Sequence, residues 1–139
     1  MRFKRLVTLF CAVICVMSMV ISVSASARAS DQIGHYLIDV MSDNGQIYVD
    51  FSVSGTGSMG RVGCESIYIY ESAGSRWIEV ENFDENDSGM STRNARRYSN
   101  MITADCEIGT RYKVEVTIFA EDSAGRDTRS KTFYVTGQA

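Results

Sequence analysis

The chain has 139 residues, with 14 Lys and Arg against 17 Asp and Glu, one His, four Cys and no Pro. Once an export segment is set aside, that length suits one domain, large enough to bury a core without metals, and the lack of proline excludes a stiff proline-rich linker. The acidic balance argues against a nucleic-acid partner, because phosphate contacts need Lys and Arg.

The N-terminus opens on Arg2, Lys4 and Arg5, with an apolar run from Leu6 to Val23 broken by Thr8, Ser18 and Ser22. Val23-Ser24-Ala25-Ser26-Ala27-Arg28-Ala29 follows. Basic, apolar and small-residue regions in that order make a secretory signal peptide. The reading is a signal peptide over residues 1–29, cleaved after Ala27 with Ala25 and Ala29 as alternatives, and one domain over 30–139. An uncleaved anchor is the other option, since the run approaches the length of a short spanning helix. Cys11 and Cys15 follow Phe10 and Ile14, so neither stands where a lipid anchor needs it. Cleavage after Ala27 leaves 11 basic against 17 acidic residues, a net charge of −6. Anionic lipid repels such a domain. The expected location is extracellular or at the cell surface, without membrane contact after cleavage.

His35 to Met41 reads as a first strand. Asp43-Asn44-Gly45 supplies the positive φ of a tight hairpin. From Gln46 to Ser54, Ile47, Val49, Phe51 and Val53 share one face, and Tyr48, Asp50, Ser52 and Ser54 the other. Residues 55–60 read as a loop. Gly63 to Glu71 is a strand with Ile67 and Ile69 on one face and Tyr68 and Tyr70 on the other. A turn at Ser72 to Ser75 leads to a strand from Arg76 to Glu81 that contains Trp77. Residues 82–97 look irregular, and Tyr98 to Ala104 is a weak strand. Arg111 to Glu121 is the strongest, with Tyr112, Val114, Val116, Ile118 and Ala120 on one face, and Asp127 to Thr136 is the last. About seven short strands with no helical period predict an all-β, antiparallel β-sandwich.

Two cysteines leave with the signal. Pairing Cys64 with Cys106 suits an oxidising compartment and would close a loop of about 43 residues, worth about 4 kcal/mol in the loop-entropy account. Two free thiols are the alternative. A metal site needs more ligands than these and His35 provide.

The stretch Cys106-Glu107-Ile108-Gly109-Thr110-Arg111-Tyr112-Lys113-Val114-Glu115-Val116 resembles the Tyr-x-Val-x-Val region of fibronectin type III domains. The resemblance implies an immunoglobulin-like sandwich. In it Tyr112 is the corner tyrosine that bonds to nearby backbone, and Cys106 takes the place of a buried Leu. The proline that the family places before Gly109 is absent, and no Trp lies in the second strand. The chain also resembles small signal-peptide-bearing secreted proteins of Gram-positive bacteria, with an ending from Ala120 to Arg129. That group implies export and a sandwich, and no particular activity.

A triad needs a His base, and His35, the sole candidate, sits where chains fray. Glu79, Glu81, Asp84, Glu85 and Asp87 could supply paired carboxylates for glycoside hydrolysis or simply a solvated loop. Asp84-Glu85-Asn86-Asp87-Ser88-Gly89 matches the first half of a calcium loop, with Asp84, Asn86 and Ser88 as oxygen ligands. Its twelfth position is Ala95 in place of Glu, and Arg93, Arg96 and Arg97 crowd the site. An exposed loop paired to those arginines is the competing reading. Tyr68, Tyr70 and Trp77 lie on consecutive strands and would form an aromatic platform if they share an outer face. Otherwise Trp77 fills the core. The sequence thus predicts a secreted, non-catalytic binding module for an extracellular protein or glycan, with no cofactor beyond a weak calcium option. A structural or envelope-associated module comes second and a glycoside-acting enzyme third.

Overall fold

The computed structural model describes residues 32–139, so the segment expected to be a signal peptide, with its expected cleavage site, lies outside the described residues. Six strands follow in order: β1 (Ile33–Asp43), β2 (Gln46–Ala73), β3 (Arg76–Asp84), β4 (Ser91–Asp105), β5 (Arg111–Asp122) and β6 (Gly125–Thr136). All pairings are antiparallel. The all-β, antiparallel class expected from the sequence is what the structure shows, with six strands where about seven were expected.

The difference lies in β2. The two strands expected at 46–54 and 63–71 are one strand of 28 residues, running through the segment expected as a loop. Its first half pairs with β1 on one edge and β4 on the other. Its second half pairs with β5 and β3. One hydrogen-bonded sheet is thereby folded into two layers, β1-β2-β4 over β3-β2-β5-β6. The crossing falls between Ser54 and Met59, where the register with β4 slips. Gly55 is needed there: a Cβ would stand 2.6 Å from the Met59 Cγ, and Met59 is buried. The irregular stretch expected at 82–97 shrinks to a turn at 85–90, because β4 starts at Ser91 and pairs with Gly63 of β2.

The hairpins follow the residues that make them. Asn44 and Gly45 have φ of 49° and 70°, joining Asp43 to its partner Gln46. Gly74, with φ of 64°, opens the two-residue turn between Ala73 and Arg76. The core lies between the layers. It is built from Ile47, Val49, Phe51 and Val53 of one half of β2, Ile67 and Ile69 of the other, and Val114, Val116 and Ile118 of β5. Period-two alternation put each set on one face. Tyr112 is the expected corner: it is 2 % exposed, and the Glu107 N–H donates to its hydroxyl at 2.8 Å. Among the described residues no helix is long and apolar enough to cross a membrane.

Candidate functional site

Because Ile67 and Ile69 face the core, Tyr68 and Tyr70 face outward from the four-stranded layer. The short turn after Ala73 brings Trp77 opposite Ser72, on the same face. Across the sheet Tyr70 pairs with Lys113, and Lys113 pairs with Tyr134 of β6. The result is a flat outer face on which Tyr68 and Tyr134 are 39 % and 55 % exposed and Tyr70 and Trp77 are half-buried. Trp77 is outside the core.

The rings form a connected set. Tyr68 and Tyr70 stack with centroids 6.5 Å apart. Trp77 meets Tyr134 at 5.7 Å, tilted by 50°. Two cations thread between them. The Lys113 Nζ lies 4.4 Å from the Tyr70 ring centroid and 5.7 Å from that of Trp77. The Arg111 guanidinium lies 5.4 Å from the Tyr134 ring. Glu115 takes an ion pair with Lys113 at 3.4 Å. Loss of water, and then the charges of Glu115 and Glu79, push the Tyr70 hydroxyl above its ordinary range.

The calcium-loop candidates fold into a tight turn at the opposite end of the layer. The Asp84 Oδ1 accepts from the Asn86 N–H at 2.7 Å, and the Asp87 carboxylate accepts from the Asp84 N–H at 2.8 Å. The Asn86 Oδ1 accepts from Arg61 at 2.9 Å, and Ser88 is exposed. Among the described residues no group of three or more His, Cys, Asp or Glu is arranged to hold a metal ion. The arginines that hold this turn are not the expected Arg93, Arg96 and Arg97. Arg61 pairs with Glu85 at 2.9 Å and also donates to the Glu85 carbonyl at 2.7 Å. Arg126 grips both Glu85 oxygens, at 3.1 and 2.9 Å, and reaches Glu65 at 2.9 Å and Glu121 at 2.7 Å. The Arg126 side chain beside Glu85 holds its carboxyl below the usual range. Beneath the two guanidiniums lies Phe119, 4.1 Å from that of Arg126, fully buried although it points away from the core.

Cys64 and Cys106 are free thiols, which corrects the expected disulfide. Cys64 sits opposite Ile118, whereas Cys106 lies beside Tyr112, six positions back along β5. At about 3.3 Å per residue the two are about 20 Å apart, and a disulfide needs Cα atoms within about 7 Å. The Cys64 thiol is fully buried and donates to carbonyls of Ser66 and Thr117, at 3.5 and 3.3 Å. Burial pushes it up to about 12. Cys106 is half-buried against the core, as the resemblance implied, 3.6 Å from the Ser42 hydroxyl.

The acids singled out in the sequence do not converge. Glu79 is on β3 and accepts from Asn82, Glu81 lines an open cleft of about 290 Å³ with Glu71, Asp105 and Glu107, and Asp84, Glu85 and Asp87 belong to the distant turn. His35 is exposed on β1 and pairs in register with Ser54. Sequence reasoning missed Lys113, Arg111 and Tyr134 of the aromatic face. Alternation carried the signal for Tyr134: Phe133 and Val135 pair with core residues Val114 and Tyr112, so Tyr134 must point outward. It also missed Phe119 and its two arginines, which no spacing connects.

No protein-family model matches the chain, and no curated protein does. Among solved structures, the chain is similar to murine CRIg, with 11 % sequence identity and a TM-score of 0.37, over 76 % of this chain and 99 % of that one.

Proposed function

We propose that this chain is a secreted, non-catalytic binding module whose contact surface is the outer face of β3, β2, β5 and β6. One observation carries the reading: Trp77, Tyr70, Tyr68 and Tyr134, on three of the four strands, stand side by side on one solvent-facing surface. A sandwich stable on its core alone gains little from such a set. Aromatic residues with an apolar body and a polar tip are the residues that glycan and protein ligands use. The division into a three-stranded and a four-stranded layer, together with the Tyr112 corner, supports the likeness to fibronectin type III domains. The export signal read in residues 1–29 would place the module outside the cell.

The test is retention of the mature protein on insoluble cell-wall, mucin and plant polysaccharides, beside Trp77→Ala. Circular dichroism checks that the variant folds. Retention of wild type and loss of a folded Trp77→Ala supports the reading. Retention of both removes Trp77 from the contact surface, and retention of neither removes the glycan form of the reading and turns attention to protein partners.

A second reading has its own observation. On the outer face of the other layer, Leu37, Met41 and Met101 are 48 %, 56 % and 48 % exposed around the facing pair Asp39 and Asp50. An envelope-associated module that self-associates would use that surface. Sedimentation of the mature protein from micromolar to millimolar concentration separates the two: self-association that Leu37→Ser abolishes supports this second reading.

A further inference from the structure

The aromatic face is not electrically uniform. Its cations sit among the rings: Lys113 lies between Tyr70 and Tyr134 in register, and Arg111 lies over Tyr134. Arg76, one position before Trp77 on β3, alternates to the opposite face and adds no charge here. Glu115 lies two positions from Lys113 along β5 and pairs in register with Tyr68, while Glu79 occupies the β3 edge opposite Tyr70. The Tyr70, Trp77 and Tyr134 end therefore presents Arg111 and Lys113, with Glu79 at its edge, in a mature chain whose net charge is −6. Glu115 pairs with Lys113 at 3.4 Å, and among the described residues Arg111, over Tyr134, takes part in no ion pair. An unpaired guanidinium set among aromatic rings is a local attractor for an anion on an otherwise acidic domain.

Resting on the binding reading above, we infer that the ligand is an anionic glycan, a polymer carrying uronic acid residues, with sugar rings laid on Trp77 and Tyr134 and a carboxylate received by Lys113 and Arg111. The face is flat, which suits the flat side of a sugar chain, whereas a protein anchor would ask for a central pocket. The carboxylate of a uronate falls beside the ring that stacks, and Lys113 stands beside the rings that would receive it.

The experiment is affinity electrophoresis of the mature protein through gels containing polygalacturonate, its fully methyl-esterified form, or a neutral galactan. Lys113→Gln and Arg111→Gln are run beside wild type, with circular dichroism to confirm folding. The expected result is retardation by polygalacturonate alone, weakened roughly tenfold in Lys113→Gln, consistent with loss of one charged hydrogen bond. It should also fall as salt rises, because screening shortens to about 3 Å at 1 M. Equal retardation by the esterified or neutral polymer overturns the anionic assignment and leaves the platform standing. So does undiminished retardation of a folded Lys113→Gln. No retardation in any gel removes the anionic assignment, and the polysaccharide retention test above then says whether the platform falls with it.

Discussion

Phe119 points away from the core and is nevertheless fully buried, because Arg126 and Arg61 close over it and Glu65, Glu85 and Glu121 hold Arg126 in place. The arrangement combines cation–π contact with a bidentate pair, which a lysine cannot reproduce. Arg126→Ala should therefore cost about 1–3 kcal/mol, since it uncovers the ring and leaves three carboxylates short of a partner, and Arg126→Lys should recover little of it. Urea denaturation midpoints decide the matter. The depressed Glu85 carboxyl adds a pH dependence. A group whose folded pKa lies below its ordinary value of 4.5 stabilises the fold above that pH and loses the contribution as pH falls through the lower folded value. Wild type should thus lose stability below about pH 4.5 more steeply than Glu85→Gln. At the alkaline end the sign reverses. Cys64, raised from 9.0 to about 12, favours the folded state while its thiol is neutral, and that contribution declines as pH climbs from 9.0 to about 12. At neutral pH the same burial should leave Cys64 unalkylated by iodoacetamide until denaturant is added, while half-buried Cys106 reacts first. Peptide mass spectrometry reads both, and a native protein carrying a Cys64–Cys106 bond would contradict the fold described here.

β2 is the element that makes the architecture. Its alternation was legible in both halves, and the hairpins at Asn44-Gly45 and Gly74-Ser75 announced themselves through residues that tolerate positive φ. The continuity between the halves was not. Gly55, Gly57, Ser58 and Gly60 have the composition of a loop, and only pairing with β4 and the burial of Met59 draw them into a strand. The same competition hid the start of β4, because Ser91 to Arg97 is polar and touches the core only at Ala95. At the junction, Gly63 has φ of 155° and a Cβ there would stand 2.6 Å from the Ser91 Cα and also strike the Met90 carbonyl. Gly63→Ala should destabilise by about 2–4 kcal/mol, in the range of overpacked or strained sites. It should loosen the 85–90 turn first, which faster amide exchange at Cys64 and Met90 would report. Their backbone groups share a 2.7 Å bond.

Both layers share one strand and one core, so the described domain should unfold in a single cooperative step. The class of fold was readable because the strongest strand, 111–121, is a run of alternating residues that tertiary context does not need to rescue. The candidate site was readable only in part. Tyr68, Tyr70 and Trp77 lie close in sequence and share a hairpin, so the chain itself places them together. Lys113, Arg111 and Tyr134 arrive from β5 and β6, and only the register of four strands sets them beside the rings. The cysteine pairing misled for the converse reason: compartment chemistry speaks of redox state and is silent about the length of strand between two residues. Trp77 is the only tryptophan in the chain and sits in the proposed contact surface. Its fluorescence, titrated with soluble oligogalacturonate, is the measurement that tests the central claim most directly. A saturable change in intensity or emission wavelength, weakened by Lys113→Gln, is the result expected. An unchanged spectrum, while the same oligosaccharide binds by calorimetry, would place the ligand elsewhere on the molecule. An unchanged spectrum without binding would leave this face no uronate to hold.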